Sequence, residues 1–438
     1  MLKRLAVTFG LLASLAWAQP AYVALGDSLG EGVQSADASY RTQPFSYVNR
    51  IAAQLGVNFP LPLIKGTATT TVESVKNRTR IDPTVATFDL AVSGADSTSI
   101  LTQAAGTTIT DETDLVLSPR TGTQVQIAQS LLAPFMTCWI GSNDALGAVL
   151  AFDQLDASQL TPVPTFAANF HQIAQSLTAW KTQVVFANVP NVTDVGFLFD
   201  NDDLTLFLGH DYGLPAGSYT SLVAMLLLKL GMADASLLQN PSWVLDAGEV
   251  QTIASTIQQY NQIIAQEAAA VKMPVVDINS LLAFVHKNGV PFGNFTLTTR
   301  YLGGMFSLDG VHPSNIGHAV LANAFLKTAN AAFHLNAPLL SNQQLSTILV
   351  QDPFVDFNGN LKVRGRPFAG LLETLGPSLG ISGDTADGIM QPGTNAALGQ
   401  QLMRNYFAAT GRDPETAWTQ KDAVEALRLI FGLHQRTL

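Results

Sequence analysis

Ser28 stands between two glycines in Gly26-Asp27-Ser28-Leu29-Gly30, and Asp309 stands three residues before His312 in Ser307-Leu308-Asp309-Gly310-Val311-His312-Pro313. A serine hydroxyl is a poor nucleophile near neutral pH and needs an adjacent base. His312 is the best candidate for that base. A short turn can bring the Asp309 carboxylate onto one imidazole nitrogen, fixing the tautomer and leaving the other nitrogen to face Ser28. Pro313 stiffens the segment behind the histidine. The other histidines (His171, His210, His286, His318, His334 and His434) have no comparable acid and read as surface or helix residues. Each half alone is bland, since most loop serines cap helices or close turns. Together they supply the nucleophile, the base and the orienting acid of acyl transfer.

Something must carry Ser28 and His312 to the same place. Tyr22-Val23-Ala24-Leu25 runs into the glycine-flanked turn as a buried strand would, with Gly26 and Gly30 relieving crowding so that Ser28 is exposed at its carboxyl end. In open parallel sheets that end is where ligands bind. Further strands are expected at 88–92, 135–140, 183–189 and 274–278. Helices are expected at 45–55, 121–132, 166–180, 253–271 and 316–335. Strands alternating with helices imply a parallel sheet covered on both faces with right-handed crossovers, an α/β fold. Gly94 and Asn143 each follow one of these strands, so both can reach the edge that holds Ser28. Gly94 has no side chain to block its N–H, and Asn143 offers a side-chain amide.

Two further stretches complete a pattern: Ala91-Val92-Ser93-Gly94-Ala95-Asp96 and Trp139-Ile140-Gly141-Ser142-Asn143-Asp144. With the serine and histidine stretches, they resemble the four blocks of the SGNH (GDSL-type) hydrolases, in order, over roughly residues 20–335. The resemblance implies a three-layer flavodoxin-like sandwich and an oxyanion hole formed by the Ser28 N–H, Gly94 and Asn143. One departure is Asp89, where many members have asparagine; it puts only local hydrogen bonding in doubt. Gly26 to Gly30 also fits the G-x-S-x-G elbow of α/β-hydrolases. That family, however, places its serine in mid-chain and draws its acid from a loop far from the histidine.

The first residues, Met1-Leu2-Lys3-Arg4, precede an apolar run from Leu5 to Leu15 and then Ala16-Trp17-Ala18. This reads as a secretory signal peptide cleaved after Ala18, giving a secreted or periplasmic protein. The run is too short to span a bilayer as an anchor. Its removal takes the formal net charge from −10 to −12, and an acidic chain is a poor nucleic-acid binder. The single cysteine, Cys138, can form no internal disulfide and reads as a buried strand thiol. The hydrolase domain is expected over 19–337, with a helical insertion at 191–250. That insertion carries Phe197-Leu198-Phe199 and the apolar run 222–228, which reads as a buried helix or as a wall or lid over the site. Residues 338–438 form an additional C-terminal region. It contains an expected hairpin over 354–363 on Asn358-Gly359 and an amphipathic helix over 414–433. Asp356, Asn358 and Asn360 have the spacing of a calcium loop, but Leu361 and Pro367 stand where glycine and an acid are required.

The sequence therefore reads as an exported serine esterase or lipase-like hydrolase. It forms an acyl-enzyme at Ser28, needs no metal or organic cofactor, and acts on a small-molecule or lipid-like ester with an acyl chain. The rival enzyme is a carbohydrate esterase that removes acetyl groups. The rival of another class is a binding module with a residual hydrolase domain.

Overall fold

The computed structural model describes residues 20–65, 78–150, 155–358, 362–363, 366–367 and 394–431. The expected signal peptide lies outside the described residues. Four parallel strands make the central sheet: β1 (Tyr22–Gly26), β2 (Phe135–Trp139), β3 (Gln183–Ala187) and β4 (Val275–Val276), adjacent in that order. Helices cover both faces of a parallel sheet, so its strands are apolar nearly throughout; every residue of β1 and β2 is buried. Their register runs from Tyr22 opposite Phe135 to Gly26 opposite Trp139. The one polar pair inside, Tyr22 and Thr137, is satisfied by a 2.7 Å hydroxyl–hydroxyl bond between the two strands.

Residues 88–92, expected as a full strand, bridge β1 at a single position, Asp89 opposite Ala24. The backbone still alternates bonds with β1: Ala24 N–H to Phe88 O (3.0 Å), Leu90 N–H to Ala24 O (2.8 Å) and Val92 N–H to Gly26 O (3.2 Å). What shortens the strand is its outer side. The Thr87 hydroxyl accepts the Asp89 N–H and donates to the Asp89 carbonyl, and the Asp89 carboxyl takes the Ala91 N–H. Side chains thus fill the bonds that a further strand would use, which blunts the edge. With this segment outside β1, the spatial order in chain numbering is 2-1-3-4-5, the flavodoxin-like winding. Its switch point falls between β1 and β2.

Helices Tyr47–Leu55 and Asn315–Phe333 pack on each other in one layer. Helix Val163–Thr178 packs against Gln124–Leu131 and Ala247–Ala270 in the other. The boundaries follow caps rather than apolar periodicity. Ser46 caps the first, and a capping box of Asp246 and Glu249 starts Ala247–Ala270 six residues earlier than its apolar spacing suggests.

The insertion holds a three-stranded antiparallel sheet (Leu198–Phe199, Tyr219–Ser221, Val244–Leu245) and helices Asn201–Leu208 and Leu222–Lys229. All eight residues of Leu222–Lys229 are buried. Helices Ala396–Ala409 and Gln420–Phe431 lie on that side: Asn395 N–H donates to the Lys229 carbonyl at 2.6 Å, and a β-carbon on Gly399 would stand 2.0 Å from the Leu230 carbonyl oxygen. The apolar run is a buried helix with the C-terminal helices against it.

Nearer the sheet, the Asn323 amide bonds both the N–H and the carbonyl of Leu340, and helix Asn342–Gln351 packs on Asn315–Phe333. The hairpin expected on Asn358-Gly359 is corrected. Lys362–Val363 pairs with Arg366–Pro367 downstream, and among the described residues no strand runs over 354–357. Asp352 is the reason: its carboxyl accepts the Ile316 N–H (2.8 Å) and the Phe354 N–H (3.0 Å), tying 352–354 to the start of Asn315–Phe333. Residues 359–361 of the expected turn lie outside the described residues. Cys138 is buried, and burial pushes its thiol pKa up. Among the described residues, no helix is long and apolar enough to cross a membrane.

Candidate active site

The turn after β1 is held open by two close approaches. A β-carbon at Gly26 would meet the Trp139 carbonyl oxygen at 2.5 Å, and one at Gly30 would meet the Ala91 β-carbon at 2.5 Å. Only glycine lets β1 end this tightly between its two neighbours. Asp27 caps the short turn Ser28–Glu31 by accepting the Leu29 N–H at 3.0 Å, which sets Ser28 at the first position with its hydroxyl half-exposed. Burial raises the Asp27 carboxyl pKa to about 7, against the Leu29 bond and the nearby His312 charge, which lower it.

His312 arrives on the loop before Asn315–Phe333. Its Nε2 lies 2.9 Å from Ser28 Oγ, and its Nδ1 lies 2.7 Å from Asp309 Oδ2. The other Asp309 oxygen accepts the N–H groups of Val311 and His312, both at 2.9 Å, so carboxyl and imidazole share one tight turn. Burial alone would raise the Asp309 pKa. The His312 charge, the His312 ring bond and the two backbone bonds outweigh it and hold the group at about 2. The three residues singled out by sequence are thus brought into one hydrogen-bonded line.

This loop is laced to residues that sequence reading passed over. Ser35 N–H donates to Ser307 Oγ (2.8 Å), Leu308 N–H to Ser35 Oγ (3.0 Å), and Ala36 N–H to Asp309 Oδ2 (2.8 Å). Ser35 and Ala36 take left-handed φ of 50° and 59° to present these groups, a strain the tertiary bonds maintain. No local signal marks such a contact across some 270 residues of chain.

The register of the sheet aligns the three oxyanion candidates. Gly26 pairs with Trp139 on one side and accepts from Val92 on the other. Ser28, Gly94 and Asn143 therefore leave neighbouring strands within a few residues of one level. Gly94 takes φ of +78°, a conformation that suits glycine. Among the described residues, neither the Ser28 nor the Gly94 backbone N–H has an acceptor. The Asn143 amide donates to the Ala95 carbonyl at 2.7 Å, which fixes its orientation and leaves its second proton for another acceptor. Asp144 fastens the same two loops by accepting the Ser97 hydroxyl (2.6 Å) and N–H (2.9 Å). Burial raises its pKa to about 6 despite those bonds.

Asp89, the departure from the family pattern, is fully buried, and burial lifts its pKa well above its ordinary value although its carboxyl accepts the Ala91 N–H. Of the other histidines, His318 is in a helix as expected but fully buried, its Nδ1 accepting the Tyr47 N–H. His171, expected to lack an acid, meets Glu267 at 2.8 Å on the surface. His286 bonds Thr299.

An apolar pocket is lined in part by the residues that follow Ser28 and precede His312 in the chain. Its walls include these two, Leu29 and Val311, with Val189, Val192 and Val195 from the root of the insertion, Leu282, Met305 and Phe306. Of the insertion 191–250, expected as a buried helix or as a wall or lid, Val192 and Val195 at its root line the pocket. Phe197 to Phe199 and 222–228 are buried in the core.

A serine, histidine and aspartate stand in one hydrogen-bonded line at the switch point of a doubly wound sheet, an arrangement suited to acyl transfer. The GDSL-like Lipase/Acylhydrolase family matches residues 22–325, and the chain belongs to that family of ester-hydrolysing enzymes. No match was found among curated proteins. Among solved structures, the chain is similar to LAE5, an alpha/beta hydrolase enzyme from the metagenome of Lake Arreo, Spain. Identity is 12%, the TM-score is 0.35, and the match covers 72% of this chain and 96% of that one. It is also similar to a variant of Axe2, an acetyl xylan esterase from Geobacillus stearothermophilus. There the identity is 14%, the TM-score 0.36, and the coverage 74% and 97%.

Proposed function

We propose that the chain cleaves carboxylic esters through an acyl-enzyme, with Ser28 as nucleophile, His312 as general base and acid, and Asp309 as the orienting carboxylate. The observation that carries this is the hydrogen-bonded line Ser28 Oγ to His312 Nε2 (2.9 Å) and His312 Nδ1 to Asp309 Oδ2 (2.7 Å). As Ser28 Oγ attacks the ester carbonyl, its proton passes to His312 Nε2, and Asp309 stabilises the imidazolium. The carbonyl oxygen becomes an oxyanion, met by the N–H groups of Ser28 and Gly94 and the free amide proton of Asn143. Collapse of the tetrahedral species returns the proton from His312 to the departing alcohol. Water, activated by His312 in the same way, then releases the acid and frees Ser28.

The apolar pocket that Leu29, the residue after the nucleophile, helps to line supports an acyl chain over a bare acetyl group as substrate, since each buried methylene is worth about 0.8 kcal/mol. We further propose that residues 1–18 direct export, with 19–337 as the hydrolase unit and 338–438 as an addition to it. The test is hydrolysis of p-nitrophenyl esters by the mature chain and by S28A. Loss of activity in S28A supports the assignment; retention of more than about a hundredth of the rate removes Ser28 as nucleophile.

A further inference from the structure

Three residues beyond the nucleophile, on the same short turn, Glu31 is completely buried. A carboxyl group in that position is costly unless its oxygens are used. One oxygen, Oε2, accepts both the backbone N–H (2.7 Å) and the hydroxyl (2.5 Å) of Ser93. Ser93 immediately precedes Gly94, so this side chain spans from the turn that presents the Ser28 N–H to the loop that presents the Gly94 N–H. No other side-chain bond among the described residues joins those two segments.

Glu31 Oε1 and Glu112 Oε1 are both buried without a donor. Two buried carboxyls near each other disfavour the doubly charged state. The Arg78 cation sits on the Glu112 side: its guanidinium meets Glu112 Oε2 at 2.5 Å and donates to the Ala38 carbonyl at 2.7 Å. Burial first, then the Glu112 charge, lifts the Glu31 pKa well above its ordinary value, against Arg78 and Ser93, which lower it.

We propose that Glu31 is a positioning residue for ester hydrolysis: through Ser93 it sets the spacing between the Ser28 and Gly94 donors of the oxyanion hole. Glu31 touches no reacting atom. This rests on the Ser28 reading above, because the spacing matters only if an oxyanion forms there. Glutamine is a close isostere whose side-chain oxygen can accept from Ser93 as Glu31 Oε2 does.

The test compares wild type, E31A, E31Q and S93A on p-nitrophenyl butyrate, with n-butylboronic acid as a probe that forms a tetrahedral adduct at the serine. E31A is expected to lower kcat by about 10- to 100-fold, with KM moving less than about threefold. The Ki of the boronate is expected to rise in step with the loss of kcat. E31Q is expected to restore at least about a third of kcat, and S93A, which keeps the backbone N–H, to lose several-fold. S93A and E31Q keep the question answerable should E31A not fold. An E31A with wild-type kcat and boronate affinity, even at a lower melting temperature, overturns the proposal, as does an E31Q or S93A result outside those bounds. Wild-type hydrolysis that survives S28A overturns the underlying reading and the proposal with it; Ser28-dependent hydrolysis with E31A unimpaired overturns the proposal alone.

Discussion

The Gln124 side chain closes on both backbone polar groups of Gly26: its Oε1 accepts the N–H at 3.1 Å and its Nε2 donates to the carbonyl at 3.0 Å. Gly26 is the last residue of β1, where ladder bonding gives out just before the Ser28 turn. A side chain from helix Gln124–Leu131 completes what the neighbouring strands leave. Replacing Gln124 by leucine would leave a buried N–H without a partner, which costs about 1–3 kcal/mol. Urea unfolding of Q124L is expected to show a loss in that range with an unchanged m-value. A loss under about 0.5 kcal/mol would mean that the bond is dispensable.

Asn143 has two tasks: one amide proton is committed to the Ala95 carbonyl, and the other is available to an oxyanion. N143A removes both. It is expected to lower kcat by roughly 100- to 1,000-fold, with a smaller change in KM, because the missing bond strengthens only as charge develops. A raised KM at unchanged kcat in steady-state assays would assign Asn143 to substrate binding.

Asp309 Oδ2 both orients the His312 ring and receives the Ala36 N–H, so its charge rather than its shape is the point to test. D309N keeps the shape but favours the wrong imidazole tautomer. The expected fall in kcat is roughly 10,000-fold with the fold intact by circular dichroism. A fall of less than about tenfold would show that His312 needs no carboxylate.

Asp27 makes a prediction about pH. Its carboxyl has a pKa of about 7 in the folded protein against 3.8 ordinarily, so between those values the folded state holds a proton that the unfolded chain has lost. The group's contribution is fully present below about pH 4 and is lost as the pH rises through about 7. D27N has no such titration, yet its side-chain oxygen still caps the Leu29 N–H. The stability of wild type relative to D27N is expected to fall by roughly 1–4 kcal/mol from pH 4 to 8, measured by denaturant unfolding. Relative stability that stays flat or rises over that interval would show Asp27 to be ionised in the fold.

How much of this could be read in the sequence depended on the range of each interaction. Ser28, Asp309 and His312 were legible because two short motifs carry them and a three-residue spacing binds acid to base. The strands and the flavodoxin-like winding were legible because buried parallel strands are short apolar runs between helices. Glu31 and Gln124 were not. Each acts through a partner distant in sequence, and a glutamate or glutamine beside a helix start looks like a solvated one until the fold buries it. The hairpin at 354–363 failed for a similar reason: the Asn-Gly signal is local, while Asp352 draws the preceding chain onto the start of Asn315–Phe333. The placement of the insertion also exceeded local reading, because nothing in the run 222–228 says that helices nearly 200 residues downstream will lie against it.

The pocket makes the last prediction, on acyl-chain length. Val192 and Val195, at the root of the insertion, line it together with Leu282, Met305, Phe306 and Leu29, the residue after the nucleophile. A chain entering it from Ser28 buries successive methylenes at about 0.8 kcal/mol each, or roughly fourfold in kcat/KM per carbon until the walls close. The expected profile rises from acetyl to at least hexanoyl p-nitrophenyl esters. Val195→Phe places a ring in that space and is expected to cut kcat/KM for hexanoyl by tenfold or more while changing acetyl less than about threefold. The overpacking cost of about 1–3 kcal/mol is read separately from the melting temperature. A profile that falls steadily from acetyl onward, with Val195→Phe indifferent to chain length, would detach the pocket from the acyl group. The short-chain reading, removal of acetyl groups from carbohydrate, would then stand in its place.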